Sequence, residues 1–356
     1  MTADLIDQSG PVRDGEALAT ERLEAFLRDH LESANGPLSV EQFLAGYSNL
    51  TYLIKLGSEE YVLRRPPFGN RIASAHDMGR EFEVLSKLWK TFPPAPRPLV
   101  YCEDETVLGA PFYVMERRRG VVLRKSAPRS LSSDPDLVRR LCESFVDNLA
   151  QLHGLDFKAA GLGDLGRPEG FIERQVSGWA KRYKKAMTEH LPDMDRATDW
   201  LAKNMPQESG AAMIHNDYKY DNLILDPNDL SNIVALLDWE MATIGDPLMD
   251  LGVTLSYWVE ADDPKAMRDS SFGPTSLPGS FTRRELVDRY QEKTEREIPE
   301  AHFYFCYGLF KLAVIVQQIY ARYARGHTRD PRFTDLHQMV RSLGQQAVQV
   351  LESKSI

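Results

Sequence analysis

The sequence predicts an α+β protein of two lobes, in which a small, mostly antiparallel sheet with one helix precedes a larger helical lobe. A chain of 356 residues is long enough for two lobes, since domains commonly hold ~100–200 residues. Short β-branched segments bounded by turn formers crowd into residues 38–116. Longer segments with apolar residues at helical spacing follow between residues 135 and 351.

In chain order, residues 1–15 are expected to form a flexible tail, residues 16–116 the first lobe and residues 117–356 the second. The first lobe is predicted to hold helices over 16–32 and 76–90 and strands over 38–44, 51–56, 61–65, 99–102 and 111–116. The second is predicted to hold helices over 135–153, 171–187, 193–204, 247–260, 282–293, 300–325 and 333–351. The boundary lies near residue 117, because the apolar strand PFYVME passes there into the polar run ERRRG.

Composition excludes several classes of protein. A net charge of −9 argues against nucleic acid or an anionic membrane as the main partner. The three cysteines are far apart and form no metal or redox motif, which suits a reducing cytosol. The N-terminal segment lacks the apolar core of a signal peptide, and the most apolar stretch, residues 303–316, is well short of ~20 residues. We therefore expect a cytoplasmic protein that acts on a small molecule.

A polar loop, HNDYKYDN, is followed by two strand candidates, residues 223–225 and 232–237. The turn formers DPND between them predict a hairpin. That hairpin would carry Asp238, at the end of the second strand, back toward Asn222 in the loop. Amide and carboxylate oxygens are hard ligands that suit Mg²⁺ bound together with substrate phosphates. The pattern therefore predicts a magnesium site at the end of this hairpin.

Two further side chains of the loop complete an arrangement suited to phosphoryl transfer. Asp217, five residues before Asn222, is free to accept a proton, and Lys219 offers a positive charge to an anion. The transition state of phosphoryl transfer needs positioning and charge neutralisation more than covalent chemistry. The predicted reaction is accordingly phosphoryl transfer.

The loop HNDYKYDN resembles the kinase catalytic loop H-R-D-L-x-x-x-N, and DWE stands where D-F-G follows in kinases. The later stretch GDPLMDLG resembles the aminoglycoside phosphotransferase family of small-molecule kinases. The resemblance implies a two-lobed protein-kinase-like fold that uses ATP and Mg²⁺. It also implies that Asp217 is the catalytic base, that Lys219 faces the γ-phosphate, and that Asn222 and Asp238 hold Mg²⁺. His215 would pack the loop against the core.

The same resemblance implies a nucleotide site in the first lobe. Ser48 and Asn49 lie in a turn with a single glycine, and they would offer donors to phosphate in place of missing glycines; a plain hairpin is the alternative. Arg64, in YVLR, takes the position of the V-A-I-K lysine, which is not a conservative change. Either Glu81 or Glu83 would pair with Arg64, and Glu81 fits the family's register better.

The hinge between the lobes is expected to hold the adenine. There Met115 would pack beside the ring, and backbone groups near Glu116 and Arg118 would hydrogen-bond to it. Arg65 faces away from Arg64 along the strand and is expected to be a surface charge.

The segment after Asp238 departs from protein kinases. The stretch between Asp238 and Asp246 is too short to hold the activation loop of a protein kinase. Asp246 is a good N-cap before Pro247, and the alternative is a catalytic carboxylate; we interpret it as structural. The resemblance suggests that Asp250 ties the following helix to the catalytic loop.

The acceptor is expected to be a hydroxyl group of a small molecule. VLRRPP and DWEMATIGDPLMDLG are most similar to kinase domains associated with acyl-CoA dehydrogenases, which implies a hydroxyacyl-CoA rather than an aminoglycoside. Basic clusters at residues 116–129 and 181–185 are either solvated faces or a dock for such a phosphorylated substrate. The alternatives are a nucleotide-binding pseudokinase with a regulatory role, a protein kinase, and a metallohydrolase with His215 and Asp217 as ligands.

Overall fold

A computed structural model of the chain describes residues 6–32, 35–44, 49–68, 77–269, 271–328 and 330–356. Its first lobe is built on a five-stranded antiparallel sheet, and the order of the strands is β1-β2-β3-β5-β4. The elements of this lobe are α1 (Thr20–His30), β1 (Leu38–Phe43), β2 (Leu50–Leu56), β3 (Glu59–Arg65), α2 (Met78–Leu88), β4 (Pro98–Cys102), α3 (Glu105–Leu108) and β5 (Phe112–Glu116). Every strand predicted for this lobe is present, to within a few residues.

The second lobe is mainly helical and carries two small antiparallel ribbons. Its elements are α4 (Arg129–Ser132), α5 (Pro135–His153), α6 (Phe171–Ala186), α7 (Pro192–Lys203), β6 (Ala212–Ile214), β7 (Leu223–Asp226), β8 (Asp229–Leu236), β9 (Thr243–Gly245), α8 (Pro247–Tyr257), α9 (Lys265–Asp269), α10 (Arg283–Thr294), α11 (Ala301–Ala324) and α12 (Leu336–Ser353). The hairpin β7–β8 confirms the predicted one, and β6 pairs with β9. The α+β prediction is confirmed.

Side-chain caps explain where several helices begin. Asp134 accepts a hydrogen bond from the Leu137 N–H at 3.0 Å, and Pro135 is the first residue of α5. Thr282 and Glu285 form a reciprocal capping box at the start of α10.

The N-terminal segment differs from the flexible tail that composition predicts. Gly10 pairs with Gln42 of β1 through two backbone hydrogen bonds of 2.8 and 2.9 Å. The Asp7 N–H donates to the Gly120 carbonyl at 3.0 Å, and the Asp7 carboxylate pairs with Arg124 at 2.7 Å. The extended segment around Gly10 is thus held by backbone hydrogen bonds to β1. Its polar sequence gives no sign of this pairing. The flexible tail predicted for residues 1–15 is therefore anchored at Asp7 and Gly10, and residues 1–5 lie outside the described residues.

Helix α11 forms the centre of the second lobe and packs tightly against α8. At their crossing Gly308 and Gly252 face each other, and a Cβ atom on either glycine would collide with the backbone of the other helix. Within the described residues α11 is the one helix long and apolar enough to cross a bilayer, but 78% of its most apolar window is buried inside the fold. The core of the lobe therefore depends on this helix.

We expect Gly308→Ala to lower the free energy of unfolding by about 1–3 kcal/mol, because the added methyl group overpacks the α8–α11 contact. The matched control is Gly178→Ala in α6, where the nearest atom to a Cβ is the end of the Arg182 side chain at 3.8 Å. That change should raise stability by ~0.5–1 kcal/mol, since alanine favours the helix. Urea denaturation measures both, and equal shifts would contradict the close contact.

Candidate active site

Asp250, buried in the first turns of α8, holds the start of the catalytic loop. Its two carboxylate oxygens accept the backbone N–H groups of His215 and Asn216, both at 2.7 Å. The same carboxylate lies 3.1 Å from Nε2 of His153. Burial acts against the charged form, but the hydrogen bond to His153 and the His215 N–H hold the pKa of Asp250 below its usual value. The predicted tie between this helix and the loop is present.

His215 is fully buried, and both of its ring nitrogens have partners. Nε2 lies 2.9 Å from the Leu237 carbonyl, so it carries the proton, and Nδ1 accepts the Asp217 N–H at 3.3 Å. The ring also packs edge-on against Trp239. Burial lowers the pKa of His215, which keeps the imidazole neutral. His215 therefore packs the loop against the core, as predicted.

The carboxylate of Asp217 is held at both oxygens. Oδ2 accepts from Lys219 Nζ at 2.8 Å and from Asn222 Nδ2 at 2.9 Å, whereas Oδ1 accepts from the Tyr257 hydroxyl at 2.7 Å. Burial would raise the pKa of Asp217, but Lys219 and the Tyr257 hydroxyl outweigh burial and lower it. The group is thus an ionised base with a fixed orientation. Tyr257 was missed in the sequence because it continues the apolar stripe of α8.

Lys219 lies between carboxylates and aromatic rings. Its Nζ is 2.8 Å from Asp217 and 3.8 Å from Asp221, and about equally far from the rings of Tyr257 (5.1 Å) and Phe272 (5.2 Å). Burial opposes its charge, but Asp217 and Asp221 raise its pKa above the usual value. Burial and the negative charges of Asp217 and Asp238 raise the pKa of Asp221 to about 6. The site therefore carries an excess of negative charge that a cation would relieve.

Asn222 and Asp238 are brought together by the β7–β8 hairpin. Leu237 donates its N–H to the Asn222 carbonyl at 2.8 Å, so Asp238 follows the residue that pairs with Asn222. The Asn222 Nδ2 donates to Asp217, which leaves its Oδ1 for a ligand. Asp238 lies at φ 68°, and its side chain is 29% exposed. One amide and one carboxylate oxygen fit Mg²⁺, which usually takes few protein ligands and completes its shell with phosphates and water.

Arg64 joins the sheet to this site. Its Nη1 pairs with Glu81 at 3.0 Å and its Nη2 with Asp238 at 2.9 Å, and all three side chains are largely buried or half-buried. Glu83 instead lies on the surface and pairs with Lys87 at 2.7 Å. The choice of Glu81 as the partner of Arg64 is confirmed. Contact of Arg64 with phosphate stays a prediction.

The other residues predicted to bind the nucleotide lie in different environments, and not all of them have groups available for a ligand. Ser48 lies outside the described residues, and Asn49 donates its Nδ2 to Glu240 at 2.9 Å. Met115 is buried in β5 among core residues. The Glu116 N–H already donates to the Arg97 carbonyl at 2.9 Å, so this N–H does not face an adenine base.

The Arg118 side chain also turns back, donating its Nε to Glu116 at 2.8 Å. Adenine would therefore meet other backbone groups of this stretch, and the roles of Met115, Glu116 and Arg118 stay predictions.

One arginine of the first lobe differs from its expected role, and a second one was missed. Arg65 is buried rather than on the surface, and its guanidinium stacks 3.6 Å from the centre of the Phe68 ring. Arg80, which the sequence analysis did not single out, donates to the carbonyls of Glu240 (3.2 Å) and Ala242 (2.5 Å). Both bonds hold the segment after Asp238 against α2. An arginine beside Glu81 in the motif REFEVL was the available signal.

The basic run at residues 116–129 is largely neutralised. Arg117 and Arg119 both pair with Glu60, and Arg124 pairs with Asp7. In contrast, Lys184 and Lys185 near the end of α6 are exposed. Of the two basic clusters, the one on α6 is thus the better candidate for an anionic ligand.

Comparison of the sequence with known proteins identifies one family and several relatives. The sequence profile of the phosphotransferase enzyme family, APH, matches residues 39–285. The chain is 34% identical over 321 residues to acyl-CoA dehydrogenase family member 11 of Rattus norvegicus, covering 89% of this chain and 40% of that protein. It is 32% identical over 326 residues to family member 10 of Mus musculus, covering 90% of this chain and 30% of that one. The chain therefore spans less than half the length of these curated relatives.

Solved structures share the fold. A candidate aminoglycoside phosphotransferase from Ralstonia eutropha JMP134 superposes with a TM-score of 0.81 at 32% identity, covering 95% of this chain and 99% of that one. Choline kinase from Cryptosporidium parvum gives 0.64 at 14% identity, covering 94% and 96%. Aminoglycoside phosphotransferase APH(4)-Ia, in a ternary complex with AMP-PNP and hygromycin B, gives 0.59 at 16%, covering 92% and 98%. The predicted resemblance and the kinase-like fold are confirmed.

We expect Asp250→Asn to lower the free energy of unfolding by about 3 kcal/mol at neutral pH, because two buried N–H groups lose a charged acceptor. The folded-state pKa of Asp250 is depressed, so its contribution is present above the unfolded-state pKa and is lost as the pH falls through the folded one. The difference from the wild type should therefore narrow below pH ~4. Urea denaturation across pH measures it, with exposed Asp262→Asn as the control. A pH-independent difference would contradict the assignment.

Proposed function

The chain belongs to the phosphotransferase enzyme family APH, and from this premise we propose that it moves the γ-phosphoryl group of ATP to a hydroxyl group of a small molecule, with Mg²⁺. The observation that carries the proposal is the Asp217 carboxylate, which is ionised, oriented by Tyr257 and next to the ammonium of Lys219. In-line transfer of a phosphoryl group from a nucleotide uses a base for the attacking hydroxyl and a cation for the phosphate charge, and here the two groups are adjacent.

Each residue has a distinct role in this reaction. Asp217 accepts the proton of the attacking hydroxyl, because its two oxygens are the fixed acceptors at the centre of the site. Lys219 offsets charge on the transferred group, since its raised pKa keeps it protonated. Asn222 and Asp238 would hold Mg²⁺ through their free oxygens. When bound, the ion supplies charge neutralisation on the phosphate oxygens.

ATP as the donor is supported by the neighbouring structure that contains AMP-PNP. Arg64 would face the phosphates from β3, because its guanidinium already reaches the Asp238 carboxylate from that strand. The forked guanidinium can bind phosphate oxygens at two points. Asn49 is one more candidate donor near this point, through its side chain beside Glu240.

A hydroxyacyl-CoA is the proposed acceptor, ahead of an aminoglycoside. This choice is supported by the relatives that match most of this chain, which are named acyl-CoA dehydrogenase family members. The exposed lysines Lys184 and Lys185 offer positive charge that the phosphates of a CoA ester would meet.

Two of the rival functions conflict with an observation, and the third leaves one without a purpose. A metallohydrolase would need His215 as a ligand, but both of its nitrogens are occupied and the ring is buried. Among the described residues no group of three or more histidine, cysteine and acidic side chains could hold a metal ion. A protein kinase would need an activation segment, whereas β9 and α8 follow Asp238 within a few residues. A pseudokinase would not need Asp217 as an oriented base.

We expect Asp217→Asn to lower kcat by about 10²–10⁴-fold, because the base is lost, while the Kd for ATP stays near that of the wild type. Asp226→Asn is the matched control, since Asp226 lies in β7 of the same hairpin and its Oδ1 accepts from the backbone and side chain of Asn228 in the turn. ATP turnover and calorimetric binding measure the two quantities. Unchanged turnover in the Asp217 variant would remove the proposed mechanism.

The acceptor is tested with a panel of hydroxyacyl-CoAs, aminoglycosides, choline and sugars, with ATP consumption followed with and without Mg²⁺. We expect consumption with a hydroxyacyl-CoA, and none when EDTA removes the metal. The double change Lys184→Ala and Lys185→Ala should raise KM for the CoA ester by about tenfold, with kcat unchanged. An unchanged KM would remove the CoA dock, and turnover of an aminoglycoside alone would reassign the acceptor.

A further inference from the structure

Lys311 is a buried charge that the proposed chemistry does not use. It lies in α11 one turn after Gly308, and its side chain is 1% exposed in the middle of the apolar core. A lysine at this depth is costly unless its ammonium has partners. Its Nζ donates to the carbonyl of Asn216 at 2.9 Å and lies 5.6 Å from the centre of the Trp179 ring.

Asn216 is the residue before the catalytic base, and its conformation is unusual. Its φ of 66° lies in the left-handed region, which asparagine adopts more readily than most other residues with a side chain. Its N–H donates to Asp250, its side-chain Nδ2 donates to the Met241 carbonyl at 3.0 Å, and its own carbonyl accepts from Lys311. Three parts of the protein therefore hold this one residue in a left-handed conformation.

We propose that Lys311 is a positioning residue for phosphoryl transfer, in which its ammonium holds the Asn216 carbonyl and so fixes the backbone that presents Asp217. The catalytic part of this proposal rests on the proposed function. The structural part, that Lys311 fixes the position of the loop, rests on the contact with Asn216. The close crossing of α8 and α11 at Gly252 and Gly308 brings the lysine within reach of the loop.

The charged groups that act on Lys311 lie in α6, in α8 and in the loop. Asp250 of α8 and Asp217 of the loop favour its charged form, whereas Arg182 of α6 and Lys219 oppose it. Burial is the largest influence and lowers the pKa of Lys311 to about 8. Neutral lysine is a weaker donor than ammonium, so the hold on Asn216 should weaken as the pH rises past that value.

The position is tested by hydrogen exchange on the whole chain at pH 7, comparing wild type, Lys311→Met and Gln317→Leu. Gln317 is the matched control, because it is buried in the same helix but donates to Ala186 and Thr188, away from the loop. We expect amides of residues 213–222 to exchange at least about tenfold faster in Lys311→Met and at the wild-type rate in Gln317→Leu. Equal protection in Lys311→Met and wild type would overturn the proposal.

The catalytic consequence is tested by pH profiles with ATP and the acceptor found in the panel. We expect kcat to fall about tenfold in Lys311→Met at pH 7, with KM for ATP unchanged. The wild type should also lose activity above pH ~8, a limb that Lys311→Met lacks and that Lys311→Arg shifts to higher pH. If Lys311→Met merely contained less active enzyme, kcat would be lower at every pH and the loss of activity above pH ~8 would remain. A loss of activity above pH ~8 that persists in Lys311→Met therefore overturns the proposal. Absence of all turnover in the wild type would contradict the proposed function, while hydrogen exchange still decides the position of the loop.

Discussion

The buried carboxylate of Asp250 is the interaction on which the rest of the site depends. It receives the first two amides of the catalytic loop and lies against His153 of α5, so one side chain joins α8, α5 and the loop. Removing such an acceptor leaves buried N–H groups unpaired, which costs the desolvation free energy of each group. With the loop fixed, His215 packs beneath it and Asp217 projects from it. The chemistry of the site is thus a consequence of a hydrogen-bonded core.

Much of the architecture could be predicted from local patterns. The five strands of the first lobe, the hairpin β7–β8 and the long helices follow from apolar periodicity and turn formers, and their predicted bounds lie within a few residues of the observed ones. Asn222 and Asp238 could be placed together because a hairpin joins positions that are distant in sequence. Asp246 could be recognised as a cap from the proline that follows it. These features depend on a few neighbouring residues, which a single sequence displays.

Features that depend on tertiary contacts could not be predicted. Tyr257 continues an apolar stripe, and only the packing of α8 beside the loop turns its hydroxyl toward Asp217. Arg65 alternates correctly along β3, but the ring of Phe68 covers it and makes it a buried residue. The three-residue strands β6 and β9 are too short to show a period. For Tyr257 and for the two short strands, the decisive partner is remote in the chain.

The left-handed backbone at Asp238 constrains how descendants of this chain could lose chemistry while keeping their shape. Asparagine and glycine tolerate that region best, and each is one nucleotide change away from an aspartate codon. Glycine would relax the backbone and erase the carboxylate, whereas asparagine would keep an oxygen but no charge opposite Arg64. On the proposed reaction, a change in this one codon would therefore give an inactive paralogue that retains the scaffold as a binding module.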